Sequence, residues 1–325
     1  MEYIKLGNSG LEVSRICLGG MSFGTDNWIH DWVLDEKESR EIIKRALELG
    51  INFFDTANVY SLGVSEKIMG RALNDFANRD EVVIATKVHH PMREGVNAKG
   101  LSRKAIMQEV NASLERLNMD YIDLLIIHRW DYDTPIEETM KALHDLVESG
   151  KVHYIGASAM YGWQFQKAQY IAEKNGWTKF ISMQNHYNLL YREDERELIP
   201  VCDDQKVALT PYSPLAAGRL ARLWEADSDR FKTDKTAKLK YDKTYKSDRK
   251  IVERVKEVAD KKNVPMAQIA LAWLLHKENV AAPVVGVTKM YQLEDAVKAL
   301  DVKLTEDEIN YLEELYTPHE VVGAR

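Results

Sequence analysis

Cysteine is nearly absent. Cys17 and Cys202, far apart in the chain, are the only two in 325 residues. A disulfide framework is therefore excluded, and both read as buried free thiols in a reducing compartment. The nine histidines include no HExxH and no Cys/His ligand spacing. Adjacent His89 and His90 would point to opposite faces of a strand, so no metal site is expected. No apolar run approaches the roughly 20 residues that a membrane helix needs, and no charged-then-apolar leader opens the chain. Positive charge is in deficit, with 44 Lys and Arg against 51 Asp and Glu for a net charge of −7. That balance argues against nucleic acid or an anionic membrane as partner. A soluble, cytoplasmic protein, by default a monomer, is the expectation these absences leave.

What is present is rhythm. Short apolar segments recur at RICLG (15–19), INFFD (51–55), EVVIATK (81–87), YIDLLIIH (121–128), VHYIGAS (152–158), FISMQ (180–184), VALTPYS (207–213) and APVVG (282–286). Between and after them run patterns of 3.6-residue period at about 36–49, 64–77, 102–116, 136–148, 162–175, 193–205, 248–262, 266–277 and 290–300. Ser102 and Thr134-Pro135 open helices, while Gly50, Gly150 and Gly176 stand where helices should stop. Eight βα units with strands apolar throughout predict a single-domain α/β protein spanning 1–325, a closed (β/α)8 TIM barrel. An open doubly wound sheet would show G-x-G-x-x-G after its first strand, and GGMSFG does not fit that pattern. The opening YIKLGNSGLEVS predicts a hairpin that plugs the bottom of the barrel. Residues 218–247, polar and rich in lysine, interrupt the rhythm after the seventh strand. They read equally well as a solvated insertion or as a flap over an anionic cofactor.

Chemistry in such a barrel belongs at the C-terminal ends of the strands. Those ends carry Asp55, Lys87, His128, Ser158, Gln184-Asn185, Tyr212-Ser213 and Gly286. Asp55, Lys87 and His128 fall on successive strands, with Tyr60 five residues beyond Asp55. Singly, each has a bland reading as a rim residue; together they make a coherent acid. A tyrosine with a free pKa near 10 needs help of roughly 3 units to donate a proton near neutrality. Lys87 would lower the phenol's pKa, Asp55 would keep Lys87 charged, and His128 would orient a carbonyl oxygen by hydrogen bonding.

FFDTANVY, ATK, LLIIH, IGAS, MQNHYN and PYSPLAAG resemble the aldo-keto reductases, and the resemblance runs from KLGNSGLEVSRICLGGMSFG to the final VVG. HRWDYDTPIEET, NHYNLLYREDERE and PHEVVG look closest to a bacterial, aryl-alcohol-dehydrogenase-like subgroup. The resemblance implies reversible hydride transfer between NADPH and an aldehyde or ketone, with Tyr60 as general acid and Asp55, Lys87 and His128 in support. It places Ser158, Gln184 and Asn185 at the nicotinamide carboxamide, Tyr212 against the nicotinamide ring, and Ser213, Leu215 and Gly218 at the pyrophosphate. Gly20, Met21 and Asp55 join the cofactor contacts. In GVTKMYQLEDA, Gly286, Thr288, Lys289 and Gln292 fit the family's adenine-end pattern. There Asp295 replaces the usual Glu and Ala296 the usual Asn, so one contact is lost. A lone Lys289 is a weaker phosphate clamp than an arginine fork, which leaves use of both NADPH and NADH open. Phe23, Trp28, His89 and Trp130 are candidates for the substrate pocket.

Two rival readings come from the same resemblance. Potassium-channel β subunits share the barrel and cofactor but act as regulatory partners; here His128 stands where they have another residue, and no extended inactivating segment leads the chain. Some relatives carry a sugar-phosphate synthase label, yet nothing in the sequence supplies a thiamine site. Both points favour a reductase.

Overall fold

A computed structural model describes residues 1–25, 32–224 and 234–322. Ten strands and eleven α-helices are described within them. An antiparallel hairpin, β1 (Tyr3–Lys5) and β2 (Glu12–Ser14), precedes the barrel strands. These are β3 (Cys17–Gly19), β4 (Phe53–Asp55), β5 (Val83–Val88), β6 (Ile122–Ile127), β7 (Val152–Ser158), β8 (Ser182–Gln184), β9 (Ala208–Leu209) and β10 (Val284–Gly286). All neighbours pair in parallel, in the order β10-β3-β4-β5-β6-β7-β8-β9. The two ends then meet: Leu209 N donates to Asn279 O at 2.8 Å, and Val284 N to Pro211 O at 2.9 Å. The sheet is a closed (β/α)8 barrel, as the alternation of elements predicted.

Parity along each strand sorts the side chains. Cys17, Phe53, Val83, Ala85, Leu124, Ile126, Ala208, Ala282 and Val284 form one buried cluster, with Leu6 and Val13 of the hairpin sealing its lower end. The alternate residues, among them Leu18, Phe54, Ile84, Leu125 and Ile127, pack outward against the helices. The plug fits tightly. Gly7 has φ +58°, and a Cβ there would lie 2.3 Å from Ile181 O. Both cysteines are buried and unpaired.

The helices α1 (Glu36–Glu48), α2 (Val64–Phe76), α3 (Arg103–Leu117), α4 (Ile136–Glu148) and α5 (Gly162–Asn175) follow the sequence periodicity closely. The next departs from it. A 3₁₀ turn at Glu193–Arg196 is separate from α6 (Leu198–Asp204), where one helix over 193–205 was expected. Pro200 is the reason: it has no N–H to bond back to Arg196, and it is tolerated only in a helix's first turn. Beyond α6 come α7 (Lys235–Tyr241), α8 (Tyr245–Lys262), α9 (Met266–His276), α10 (Met290–Lys298) and α11 (Glu306–Glu313). The periodicity did not reveal α7 or α11. The Asp234 side chain caps α7, accepting from Ala237 N at 2.8 Å. Thr305 and Glu308 form a capping box on α11. No helix among the described residues is long and apolar enough to cross a membrane.

Candidate active site

The inward parity that is apolar at the bottom of the barrel turns polar at the top. Two residues beyond Phe53 comes Asp55, beyond Ala85 comes Lys87, and beyond Ile126 comes His128. Lys87 is fully buried, and its ammonium donates to Asp55 Oδ1 at 2.6 Å and Thr56 O at 2.8 Å. The Tyr60 hydroxyl stands 3.4 Å from the same nitrogen. The other carboxylate oxygen of Asp55 accepts from Gln184 Nε2 at 2.8 Å. His128 meets Tyr60 edge-on, with ring centroids 5.9 Å apart. Its Nδ1 is buried without a hydrogen-bond partner among the described residues.

The loop that carries Tyr60 is held from several sides. Thr56 N and Asn58 N continue the ladder onto Ala85 O and Lys87 O. The Asn58 side chain donates to Glu109 at 3.1 Å. A 3₁₀ turn at Tyr60–Gly63 then runs through Ser61 and Leu62 with left-handed φ of 47° and 49°. Non-glycine residues in that region commonly mark functional sites. Gly24 makes room for this turn: a Cβ there would fall 1.8 Å from Ser61 Oγ.

The electrostatics correct one expectation. Burial pushes the Tyr60 phenol up; Lys87 pulls it down and Asp55 pushes it up again, so the net direction is above the usual value. Lys87 therefore opposes the effect of burial without prevailing over it, and the phenol stays protonated. Burial likewise pulls Lys87 down, but Asp55 and Tyr60 outweigh it and hold the ammonium above its ordinary value. His128 falls well below the usual imidazole range through burial, with Lys87, Arg129, His90 and His89 adding to the effect. It is a neutral imidazole. His89 and His90 also differ from expectation. Lying beyond the end of β5, with His89 at φ +151°, they do not diverge across a strand. Their rings meet at 5.1 Å, and His90 meets His128 at 4.7 Å.

Across the barrel lie the residues expected to hold a cofactor. Ser158 and Gln184 are register partners at the tops of β7 and β8, both buried. Asn185 donates to Asp194 at 3.0 Å, while its Oδ1 is buried with no partner among the described residues. The Tyr212 ring stacks on His186 at 5.2 Å and 9°, and its buried hydroxyl has no partner among the described residues. Ser213, Ala216, Ala217 and Gly218 take φ of 54°, 48°, 56° and 92° around Leu215. Such left-handed runs make the concave backbone nests that suit phosphates. A Cβ on Gly286 would meet nothing within 4 Å, leaving open space above β10. These orphaned polar atoms and open backbone fit a nicotinamide dinucleotide. Gly20 differs: a Cβ there would strike Met69 and Ser65, so its smallness serves packing, while Met21 beside it is partly exposed.

At the adenine end, Gln292 accepts from Thr288 N at 2.8 Å and Lys289 N at 3.1 Å, capping α10. Asp295 accepts from Gln268 at 3.2 Å. Lys289 is exposed. Among the pocket candidates, His89 and Trp130 are partly buried at the rim. Phe23 is fully buried in the layer between strands and helices, so it backs the rim and does not line it. Trp28 lies outside the described residues, as do 225–233 of the insertion.

Four residues at this site escaped the sequence reading. His186 stands between Tyr191, at 4.1 Å, and Tyr212, and bonds Tyr241 Oη at 2.7 Å. Its position two residues past Gln184 was the available signal, since inward parity continues beyond the strand. Asp194 lies against Asn185, its carboxyl pushed up to about 7 chiefly by burial. The Lys240 ammonium lies 4.7 Å from the Tyr212 ring centroid. Arg129 follows His128 directly and donates to the His128 carbonyl at 2.7 Å.

Known proteins resemble this chain over nearly its whole length. Residues 15–317 match the aldo/keto reductase family. A versiconal hemiacetal acetate reductase of Aspergillus parasiticus is 48% identical over 338 residues, covering 98% of each chain. A putative aryl-alcohol dehydrogenase of Schizosaccharomyces pombe is 47% identical over 344 residues, 98% of this chain and 96% of its own. An aldo-keto reductase of Metarhizium robertsii is 45% identical over 348 residues, 99% of this chain and 93% of its own. These relatives are fungal, where the sequence motifs suggested a bacterial subgroup; the likeness to aryl-alcohol dehydrogenases is common to both. The chain belongs to the aldo/keto reductase family and is an oxidoreductase.

Proposed function

We propose that this enzyme reduces aldehydes or ketones to alcohols with NADPH, reversibly, with Tyr60 as the general acid. The observation that carries the reading is the buried cluster in which one ammonium, Lys87, contacts Asp55, the Thr56 carbonyl and the Tyr60 hydroxyl. When bound, NADPH supplies the hydride. The chain's own part is to orient the carbonyl and to deliver a proton. Neutral His128 donates a hydrogen bond to the carbonyl oxygen, and Tyr60 gives that oxygen its proton as negative charge develops. The phenolate left behind is stabilised by Lys87, whose charge Asp55 secures. Preorganised donors of this kind act without reorganising at the moment of reaction.

Ser158, Gln184 and Asn185 would hold the carboxamide, Tyr212 the ring, and the 213–218 backbone the pyrophosphate. Lys289, exposed and without an ion pair among the described residues, would take the 2′-phosphate beside Thr288. The setting we propose is cytoplasmic, with a monomer acting on a small carbonyl compound at a pocket that includes His89 and Trp130. No feature of the site favours a purely regulatory role. The direct test is the fall in absorbance of NADPH, and of NADH for comparison, across a panel of aldehydes, ketones and sugars. Tight NADPH binding with no turnover of any of them would overturn the reading.

A further inference from the structure

The barrel mouth holds a cation that the proton-transfer cluster does not use. Arg129 leaves the top of β6 immediately after His128, and its guanidinium folds back to donate to the His128 carbonyl at 2.7 Å. It is partly buried. Nearby carboxylates are engaged elsewhere. Asp131 accepts from Leu101 N at 2.7 Å, Thr134 Oγ1 at 2.7 Å and Asp133 N at 3.0 Å, and so closes its own turn. Asp55 is divided between Lys87 and Gln184. Asp194 faces Asn185. Among the described residues Arg129 makes no ion pair.

We propose that Arg129 receives an acidic group on the substrate, a carboxylate or a phosphate, so that the preferred substrates are aldehydes or ketones that also carry an anion. The inference rests on the reductase reading above and names the class of carbonyl compound it would take.

The position of the guanidinium supports this. Its charge is felt at Tyr60, beyond β4, at His89 and His90, beyond β5, at His128, just past β6, and at His186, beyond β8. Only a place over the open end of the barrel is near all of them. Three of these imidazoles, His89, His90 and His128, are shifted toward the neutral form. They offer hydrogen bonds without adding charge. One guanidinium N–H is spent on the His128 carbonyl, and among the described residues the other four find no acceptor. A planar fork with donors to spare matches a carboxylate or a phosphate two-to-two, which a lysine cannot do. Partial burial strengthens such a pair relative to one in open water.

The test compares wild type, Arg129→Met and Arg129→Lys on matched substrates with NADPH: 4-carboxybenzaldehyde against benzaldehyde, and glyceraldehyde 3-phosphate against glyceraldehyde. The two pairs separate carboxylate from phosphate as the favoured anion. Wild type should prefer the anionic member of at least one pair by about tenfold or more. Arg129→Met should lose about 10–100-fold in kcat/KM on that member, chiefly through KM, and far less on its neutral partner. Arg129→Lys should recover only part. A second readout does not depend on turnover. Binding of 4-carboxybenzyl alcohol to the protein loaded with NADPH, a pair that cannot react, followed by tryptophan fluorescence beside Trp130, should weaken in Arg129→Met, whereas benzyl alcohol should bind alike to both. Equal losses on charged and neutral aldehydes would overturn the proposal. So would a fall in NADPH affinity that accounts for the whole loss. Absence of any aldehyde reduction, with anion binding still dependent on Arg129, would strike the reductase reading alone.

Discussion

The two ends of the barrel interior are built from the same strands by the same alternation, and they do opposite things. At the lower end Cys17, Phe53, Val83, Leu124 and Val284 close on Leu6 of the hairpin and exclude water. At the upper end the next inward positions are Asp55, Lys87, His128 and Gln184, each buried and nearly all hydrogen-bonded to one another or to backbone. The boundary is one step of two residues, from Phe53 to Asp55 and from Ile126 to His128. Burial stabilises the lower end because the groups are apolar. At the upper end the same burial shifts protonation states, holding Tyr60 protonated and His128 neutral. Apolar packing and ionisable groups are thus separated along the strand axis within one barrel.

The largest break in this contrast should come from Tyr60→Phe, which removes a hydroxyl and leaves the ring. Carbonyl reduction should fall by roughly 10²–10⁴-fold while unfolding midpoint and NADPH binding stay near wild type. Wild-type rates in that variant, with cofactor binding confirmed, would dismiss Tyr60 as the acid. Lys87→Met should lower activity comparably and, unlike Tyr60→Phe, also destabilise the fold, because it leaves the Asp55 charge buried without its partner. In the double mutant the two activity losses should not add.

At the other end the converse is expected. Leu124→Ala should cost about 2–5 kcal/mol of stability, read by denaturant unfolding, yet leave the kcat of the folded fraction within about twofold. A large loss of kcat without loss of stability would show that the two ends are coupled after all. Lys289→Met, outside the barrel, should weaken NADPH binding by about 1–2 kcal/mol and spare NADH. Equal losses for both cofactors would make the lysine structural.

The smallest effect concerns pH. His128 and His186 are held well below the unfolded value of 6.5 by burial, and His90 is lowered to about 4 by burial, His89 and Arg129. The unfolded chain therefore binds more protons than the native one below pH 6.5. Their contribution is complete above that pH and is lost progressively as pH falls toward 4. Asp194, pushed up to about 7, acts in the opposite sense over this window. Urea midpoints are therefore compared in an Asp194→Asn background from pH 7.5 down to 5. They should decline, and a rise there would mean that these rings are charged in the native state.

Much of this was legible because it follows from period. Apolar runs closed by polar residues marked the rim and put Asp55, Lys87 and His128 together at one end of the barrel. What escaped depends on features that period does not encode. The break before α6 turns on one missing N–H at Pro200. Helix α7 was hidden in a lysine-rich segment because its buried positions, Ala237 and Tyr241, make only a single i, i+4 pair. Phe23 read as pocket lining, yet local sequence cannot tell which side of a layer an aromatic ring joins. The direction of the Tyr60 shift was misjudged for a related reason: a neighbouring charge is visible in the sequence, while the depth of burial that outweighs it is not.

Asp55 has a consequence for how such a protein can change. Its two oxygens serve separate clients, Lys87 on the side of the proposed proton donor and Gln184 on the side proposed for the nicotinamide. No substitution at position 55 can adjust one without disturbing the other, and a glutamate would move both anchors at once. Variation in substrate preference must therefore accumulate elsewhere, in the loops that carry His89, Arg129 and Trp130, where each side chain answers to one neighbour or two. An experimenter diversifying this enzyme would do well to hold position 55 fixed and randomise those loops.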